Sequence, residues 1–594
     1  MLNRIYIIVG TLAIIVLAGA FIVPRFIQWG DYRVRMEELA SGMLGTPVTI
    51  RGDIDFSLLP RPRLVFTNVL VGSPEEPAAT VDTVEAEFSL MDFLRDNYVL
   101  TSFLLDGPVV DFTIDESGLF GSGVTLAADD NGVGLGATEI RNGTVRLFDR
   151  RTEQTFETTR IDGQLRLSGM SGPLQFQGAG NYHGERYSLR FNSSGPDQAG
   201  ASRISAAVNA QSAGFTFSTE GALVPGIAPK FDGTVTYRQR PPAAEAAEDI
   251  RGDLILEAQV TGSTDRIVLS SYTLQPDENR AGTRLTGAAS IQLGERLGFD
   301  AVVSGGVFSL PPRDANENPA DHPHEIVRML AELPAPPVPP IPGRLGLDLA
   351  EVGLRAFALR DVRLDARSEG ARWLIESFEA QLPGNTKVSL SGTLLAEGDR
   401  PAFTGTLDVN SRRVDALAAL WRRPGEDNVL FNVPARLSGR VLLAADALGV
   451  LGATLTVGGE PAATELRLGF GDEKRLDLTA HFGQLDASHS TQIGALLPNI
   501  AADPSFGNSF PAGSFTLAAE AAQLFGQPGT DLHAEGEWSG GAVRFERLAA
   551  ADWGGVRVDV AGEVGGSLDQ LLLSGSGAVA VEDASAPGLA AAYT

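Results

Sequence analysis

Cysteine is absent from all 594 residues. Without a thiol there is no disulfide, no cysteine nucleophile and no thiolate metal site; an oxidising compartment is compatible with that. Positive charge is scarce too, with 47 Lys and Arg against 74 Asp and Glu, for a formal net charge of -27. Phosphate binding needs a basic face, so nucleic acid is excluded as a partner. Electrostatic docking on anionic lipid is excluded for the same reason. What is present is 43% hydrophobic content, which excludes wholesale disorder, together with 68 Gly and 34 Pro. Long alternating runs between these breakers indicate a turn-rich β protein.

One long apolar run stands apart. IYIIVGTLAIIVLAGAFIV, residues 5–23, carries no charge and lies between Arg4 and Pro24-Arg25. As a helix it would cover about 29 Å, one hydrocarbon core. A transmembrane anchor is therefore expected over residues 1–25, with Ile5, Val9, Leu12, Ile15, Leu17, Phe21 and Val23 in lipid. Ala18-Gly19-Ala20 resembles a signal cleavage site, but Phe21, Ile22 and Val23 extend the apolar run past it. Orientation is left open by charge, because Arg4 lies upstream and Arg25, Arg33 and Arg35 lie downstream. Trp29 and Tyr32 sit where amphipathic rings favour the headgroup zone, or where they could pack under the first sheet.

Next, Asp31 can cap a short helix to Leu44, with Met36, Leu39, Ala40 and Met43 on one face and Gly45 as terminator. Strand material follows in TPVTIRGDIDFSLLP, RLVFTNVLVGS and ATVDTVEAEFSL, then a short helix from Leu90 and VLTSFLLDGPVVDFTID. Pro60 and Pro62 precede a β-prone run. They either guard the unpaired edge of a first strand or form a loop between strands.

This ordered series resembles the N-terminal part of the AsmA family of envelope proteins. The likeness is carried by Asp31-Tyr32-Arg33, Gly45-Thr46-Pro47-Val48, Gly52-Asp53-Ile54, Leu59-Pro60, Asn68-Val69 with Gly72, Leu105-Asp106-Gly107-Pro108, and IRNGTVRLFD at residues 140–149. Leu119-Phe120 stand where the family usually shows Asn-Trp. The resemblance implies a trough-like β-sheet related to bridge-type lipid carriers of the TamB kind, in a large domain outside the cytoplasm.

Beyond residue 120 short alternating runs recur every 10 to 15 residues or so, as in a meander. ELRLGF, a GDEKR turn and LDLTAHF form a hairpin in which Leu466, Leu468 and Phe470 face Leu476, Leu478 and Ala480. VRVDVAGEV at residues 556–564 is another such run. About 40 strands at roughly 4.8 Å would extend to about 190 Å at most. HEIVRMLAEL suggests a short amphipathic helix. PAPPVPPIPG at residues 334–343 should be a stiff spacer of about 31 Å. The expected organisation is therefore anchor 1–25, AsmA-like segment 26–120, β-groove segment 121–333, proline-rich linker 334–343 and second β-groove segment 344–594, which a longer chain could continue.

The fold class expected is mostly β: a transmembrane helix, then an elongated, repetitive antiparallel sheet curled into an apolar groove, with a few short helices. Candidate groove-lining residues are Val145, Leu147, Leu390, Leu407, Leu466, Leu468, Phe470, Leu476 and Leu478. Chemistry is not evident. His322-Pro323-His324-Glu325 is the best metal candidate but reads as a solvated loop. Gly132-Val133-Gly134-Leu135-Gly136 lacks the helix and lysine of a phosphate loop. Glu75-Glu76 and Asp129-Asp130 fall in turns, and no nucleophile elbow is found. No enzyme, cofactor or metal is expected. The partners expected are phospholipid acyl chains, the inner membrane and possible outer-membrane assembly factors. The function expected is lipid carriage or shelter; the alternative is a non-enzymatic scaffold for outer-membrane protein biogenesis.

Overall fold

The computed structural model describes residues 29–581 apart from 76, 94, 96–99, 122–136, 168–171, 211, 213, 242–251, 280–282, 310–329, 331–332, 355–356, 422–428, 472–473, 497–510, 525, 540–541 and 568–569. The expected anchor at residues 5–23 lies outside these. Among the described residues no helix is long and apolar enough to cross a membrane. The chain is mostly β and divides into two compact units: Met1–Ala246 with Arg251–Asn279 and Ala288–Gly298, and Ala247–Ile250 with Arg280–Gly287 and Phe299–Thr594.

The first unit opens with a 3-10 turn, Trp29–Tyr32, and helix α1, Arg33–Leu44. Asp31 belongs to the 3-10 turn and does not cap α1; Tyr32 holds the cap position, and its side chain does not bond the first-turn amides. The helix does end at Gly45, whose φ of 68° lets its N–H donate to Ser41 O. Met36, Ala40 and Leu44 pack on a core of Val48, Ile50, Ile54, Val69, Val81 and Val84. Leu39, expected on that face, is instead 62% exposed.

Strand Arg63–Gly72 is no edge. It carries Val48–Ile50 and Ile54–Ser57 on one side and Pro77–Phe88 on the other. Pro60 and Pro62 therefore lie in the loop before it, where Pro62 is fully buried and its carbonyl accepts from Phe88 N at 2.8 Å. The true edge is Val48–Ile50, and α1 covers it. Ser41 Oγ accepts from Val48 N at 2.8 Å and Glu37 Oε1 from Ile50 N at 2.7 Å, satisfying amides that would otherwise template another strand.

From Pro77–Phe88 the pairing passes through Leu100–Ile114, Ala137–Asp149 and Gln154–Leu167, then strand by strand to Arg266–Gln275. Tight turns set the register: between Tyr182 and Glu185, His183 and Gly184 both take positive φ, 49° and 86°, the type I′ hairpin geometry. In the second unit Gly298–Ser309, Pro342–Gly353, Ala358–Glu369, Arg372–Leu382, Thr386–Glu397 and Arg400–Ser411 pair in order. The ladder continues from Ala435–Leu443 to Gln570–Val581.

The sheets are not purely antiparallel, which corrects the simple meander. Leu100–Ile114 with Ala137–Asp149, Gly298–Ser309 with Pro342–Gly353, and Arg475–Leu485 with Ala512–Leu524 are parallel. A parallel pair needs a crossover from one end of the sheet to the other, and each of these three is joined by a long connection. The third includes helix Ala487–Leu496. The second includes the proline-rich run, which falls within the second unit. There Trp373 Nε1 donates to Pro337 O at 2.9 Å, Ser368 Oγ to Pro339 O at 3.2 Å, and Ala335 N to Asp399 O at 3.0 Å. Val338 packs beside a buried cluster of Ala366, Trp373, Ile375, Phe403 and Val441. The run is a strap laid on the sheet, because a polyproline segment has free carbonyls that these donors satisfy.

Candidate functional site

Alternation along each strand puts one set of side chains on each face, and the register decides whether neighbouring strands agree. In the first unit they do: Leu165, Phe176, Phe191, Ala206, Thr219, Val235, Ala258 and Tyr272 stand opposite one another in succession. In the second, Trp373, Leu394, Phe403, Leu443, Leu448, Leu468 and Leu476 form such a row. Thus each unit carries an apolar face running from strand to strand.

The opposite face is charged. Arg146 grips Asp111 with two bonds of 2.7 and 2.8 Å across the parallel pair, Arg436 meets Asp408 at 2.7 Å and Lys387 meets Glu379 at 2.9 Å. These pairs are exposed and add little stability each. Their effect is to mark the wet side of the sheet.

The two apolar faces are covered to different degrees. In the second unit Leu349, Val362, Trp373, Ile375, Phe403, Val441 and Val450 are all buried. Helix Ala487–Leu496 and the short helix Val414–Ala418 close a further cluster there, in which Val457 is 1% exposed and Trp421 Nε1 donates to Leu496 O at 3.0 Å. In the first unit, by contrast, only Gly180 and Ala210 are buried among the described residues from Gln154 to Gln239. Phe156 on the apolar face is 43% exposed. Further along, burial alone pushes the Tyr272 phenol above its ordinary range.

The candidate lining residues fall on these faces with one exception. Val145 pairs with Val110, Leu147 with Phe112, and both are half-buried. Leu390 stands between Phe378 and Leu407. Leu466 faces Leu478 and Leu468 faces Leu476, with Trp538 packed beside them. Phe470 lies past the end of its strand, Glu460–Gly469, where its N–H donates to Asp446 O at 2.7 Å; Ala480 accordingly pairs with Thr464. Tyr32 is 50% exposed.

Three phenylalanines were missed. Phe176 lies over the cross-strand glycines Gly163 and Gly178, Phe231 over Gly221 and Gly233, and Phe403 over Gly392 and Gly405. A Cβ at Gly178 would stand 2.5 Å from Asp162 O and 2.7 Å from the Phe176 ring. The absent side chains leave room for the ring to lie flat on the sheet. The signal was legible: Gly-x-Leu on one strand and Phe-x-Gly on the next, at 163–165 and 176–178, 221–223 and 231–233, 392–394 and 403–405.

No reactive constellation is gathered among the described residues. Among the described residues no group of three or more His, Asp or Glu could hold a metal ion. His183 meets the Tyr182 ring edge-on with centroids 4.3 Å apart, His489 meets Asp486 at 3.0 Å and His533 meets Glu535 at 3.4 Å. These are separate pairs. His322, His324, Glu325, Asp129-Asp130 and the glycines at 132, 134 and 136 lie outside the described residues. Arg363, Lys387 and Arg412 share a polar hollow with Asp361 and Glu379, but it lies on the charged face and its lysine is already paired with Glu379.

Residues 2–177 match the model of the AsmA family. No curated protein and no solved structure matches the chain.

Proposed function

Because the chain belongs to the AsmA family over residues 2–177, we propose that it carries or shelters phospholipid acyl chains on its apolar sheet face, in support of lipid traffic between envelope membranes. The run at residues 5–23 anchors it in the inner membrane, and the large domain stands in the periplasm. No covalent chemistry is needed. A chain of about 16 methylenes gains on the order of 13 kcal/mol on leaving water, and an apolar face whose described side chains are mostly only half-buried supplies that transfer while the headgroup stays wet. One observation carries this proposal: the aligned apolar face from Gln154 to Gln239, on which almost nothing is buried.

A photoreactive amino acid at Phe156 or Phe191 in the full chain should give lipid adducts, and the same group at the outward Arg190 should not. Absence of adducts at both inward sites would defeat the proposal. The second reading, a non-enzymatic scaffold for outer-membrane protein assembly, is favoured by the buried clusters of the second unit. Acidic substitutions at Leu390 and Leu407 separate the two, since they block lipid movement under the first and mainly unfold the second unit under the other.

A further inference from the structure

One largely buried cation in the first unit takes no part in the apolar face. Arg151 has only 6% of its side chain exposed. Its Nε and Nη2 donate to the two oxygens of Asp149 at 3.0 and 2.8 Å, Nη2 also donates to Thr264 O at 3.0 Å, and Nη1 donates to Asp265 Oδ1 at 2.8 Å. Asp265 in turn gives its carbonyl to Leu293 N at 2.8 Å. A Cβ at Gly118 would meet Asp265 Oδ1 at 2.5 Å and Arg151 Nη1 at 3.2 Å, so only glycine lets that turn close in. Nearby, Phe120 N donates to Ile227 O at 2.7 Å.

The sheet topology gives these bonds meaning. Counting turns along the meander puts residues 115–119 and 150–153 on one rim, because Leu100–Ile114 and Ala137–Asp149 run parallel. The same count puts residues 225–229 and 263–265 on the opposite rim. Seven successive pairings separate Gln154–Leu167 from Arg266–Gln275, an arc of about 34 Å at roughly 4.8 Å per strand. Opposite rims that touch after such an arc mean that the sheet has wound through about one turn. Its circumference then matches a barrel of roughly eight strands, whose bore admits filling side chains or one slender ligand. Filling side chains would be buried, and from Gln154 to Gln239 they are not.

We infer that the first unit is a wound sleeve whose seam is shut by side-chain and turn contacts, not by a strand ladder, and that Arg151 is the bolt across that seam, admitting an acyl chain sideways when it opens. Three turns meet around one guanidinium. A ladder would need many backbone bonds broken together; this seam opens by parting the bonds of Arg151 to Thr264 and Asp265 and the few backbone bonds beside them. The functional half of the inference rests on the apolar face holding lipid, whereas the bolt itself does not.

The absence of native cysteine allows a direct test in the full chain. Spin labels at Leu119→Cys and Ile227→Cys report the rim separation; both side chains are exposed, 40% and 68%. Arg151→Ala, and the milder Asp265→Asn, should each lengthen and broaden that distance relative to the parent. In parallel, uptake of a pyrene-labelled phospholipid from phosphatidylethanolamine and phosphatidylglycerol vesicles is followed. A Phe120→Cys/Ile227→Cys disulfide should slow uptake at least tenfold, reversibly on reduction, and Asp265→Asn should speed it severalfold. Unchanged rim distances in both bolt variants overturn the bolt whatever the lipid does. Uptake untouched by the disulfide overturns its gating role. Changed distances with no uptake by any variant leave the bolt standing and instead refute the apolar face as a lipid site.

Discussion

At the scale of single residues, charge and space are each settled by one or two atoms. Asp149 shows this for charge. Two bonds from Arg151 hold its carboxyl below the ordinary carboxylate range, and burial works in the opposite direction without prevailing. A folded-state value below the unfolded one stabilises the fold fully above about pH 4, and that stabilisation is lost as pH falls through the lower folded value. Asp149→Asn replaces the two-bond partner of Arg151 by a neutral amide, leaves the exposed Asp265 as the carboxylate still bonded to it, and should cost about 3 kcal/mol at pH 7. The cost should shrink as pH falls below about 4, as the parent loses the same contribution through its lowered folded-state value. Chemical denaturation of both proteins across that range checks it; a pH-independent cost would assign the loss to packing. Gly178 shows the same for space, since a single Cβ there would collide with Asp162 O and the Phe176 ring.

Individual elements follow their local signals except where a neighbour intervenes. Gly45 stops α1 because a left-handed residue is needed there and glycine supplies it. Asp31 looked like a cap, but the preceding turn absorbs it. Pro60 and Pro62 fitted an edge or a loop equally well in sequence, and only the pairing of Arg63–Gly72 on both sides decides for the loop. Edge protection comes from α1 instead. Glu37→Ala should therefore leave the Ile50 amide without its acceptor, cost about 1 kcal/mol and raise hydrogen exchange selectively at Ile50 while Val48, held by Ser41, stays protected, read by NMR. Uniform exchange across Arg63–Gly72 as well would mean that the helix holds the whole hairpin and not its edge.

For the molecule as a whole, the decisive property is that each sheet has a dry side and a wet side, and neighbouring residues sample both. Phe191 is half-buried on the apolar face while Arg190 is exposed on the other. Phe191→Glu should abolish lipid uptake from vesicles with at most a modest loss of stability, and Arg190→Glu should change neither; equal effects of the two would mean that the faces are not functionally distinct. The differing cover over the two units was not legible in the alternation. Leu390, Leu407 and Val145 carry the same pattern, yet the first two lie beside the strap-covered cluster and Val145 does not. Nor did Phe470 obey it, because the strand ends one residue earlier.

Strand periodicity, breaker placement and the ordered motifs of the first 150 residues depend on contacts within a few residues or on a fixed order of short motifs, so the sequence alone determines the β class, the apolar and polar faces and the AsmA likeness. Crossovers, the proline strap, the winding of the first sheet and the Arg151 bolt join residues as far apart as 114 positions. No local pattern encodes such a meeting: Arg151 and Asp265 each look like ordinary solvated turn residues until the accumulated twist of the strands between them brings the rims together.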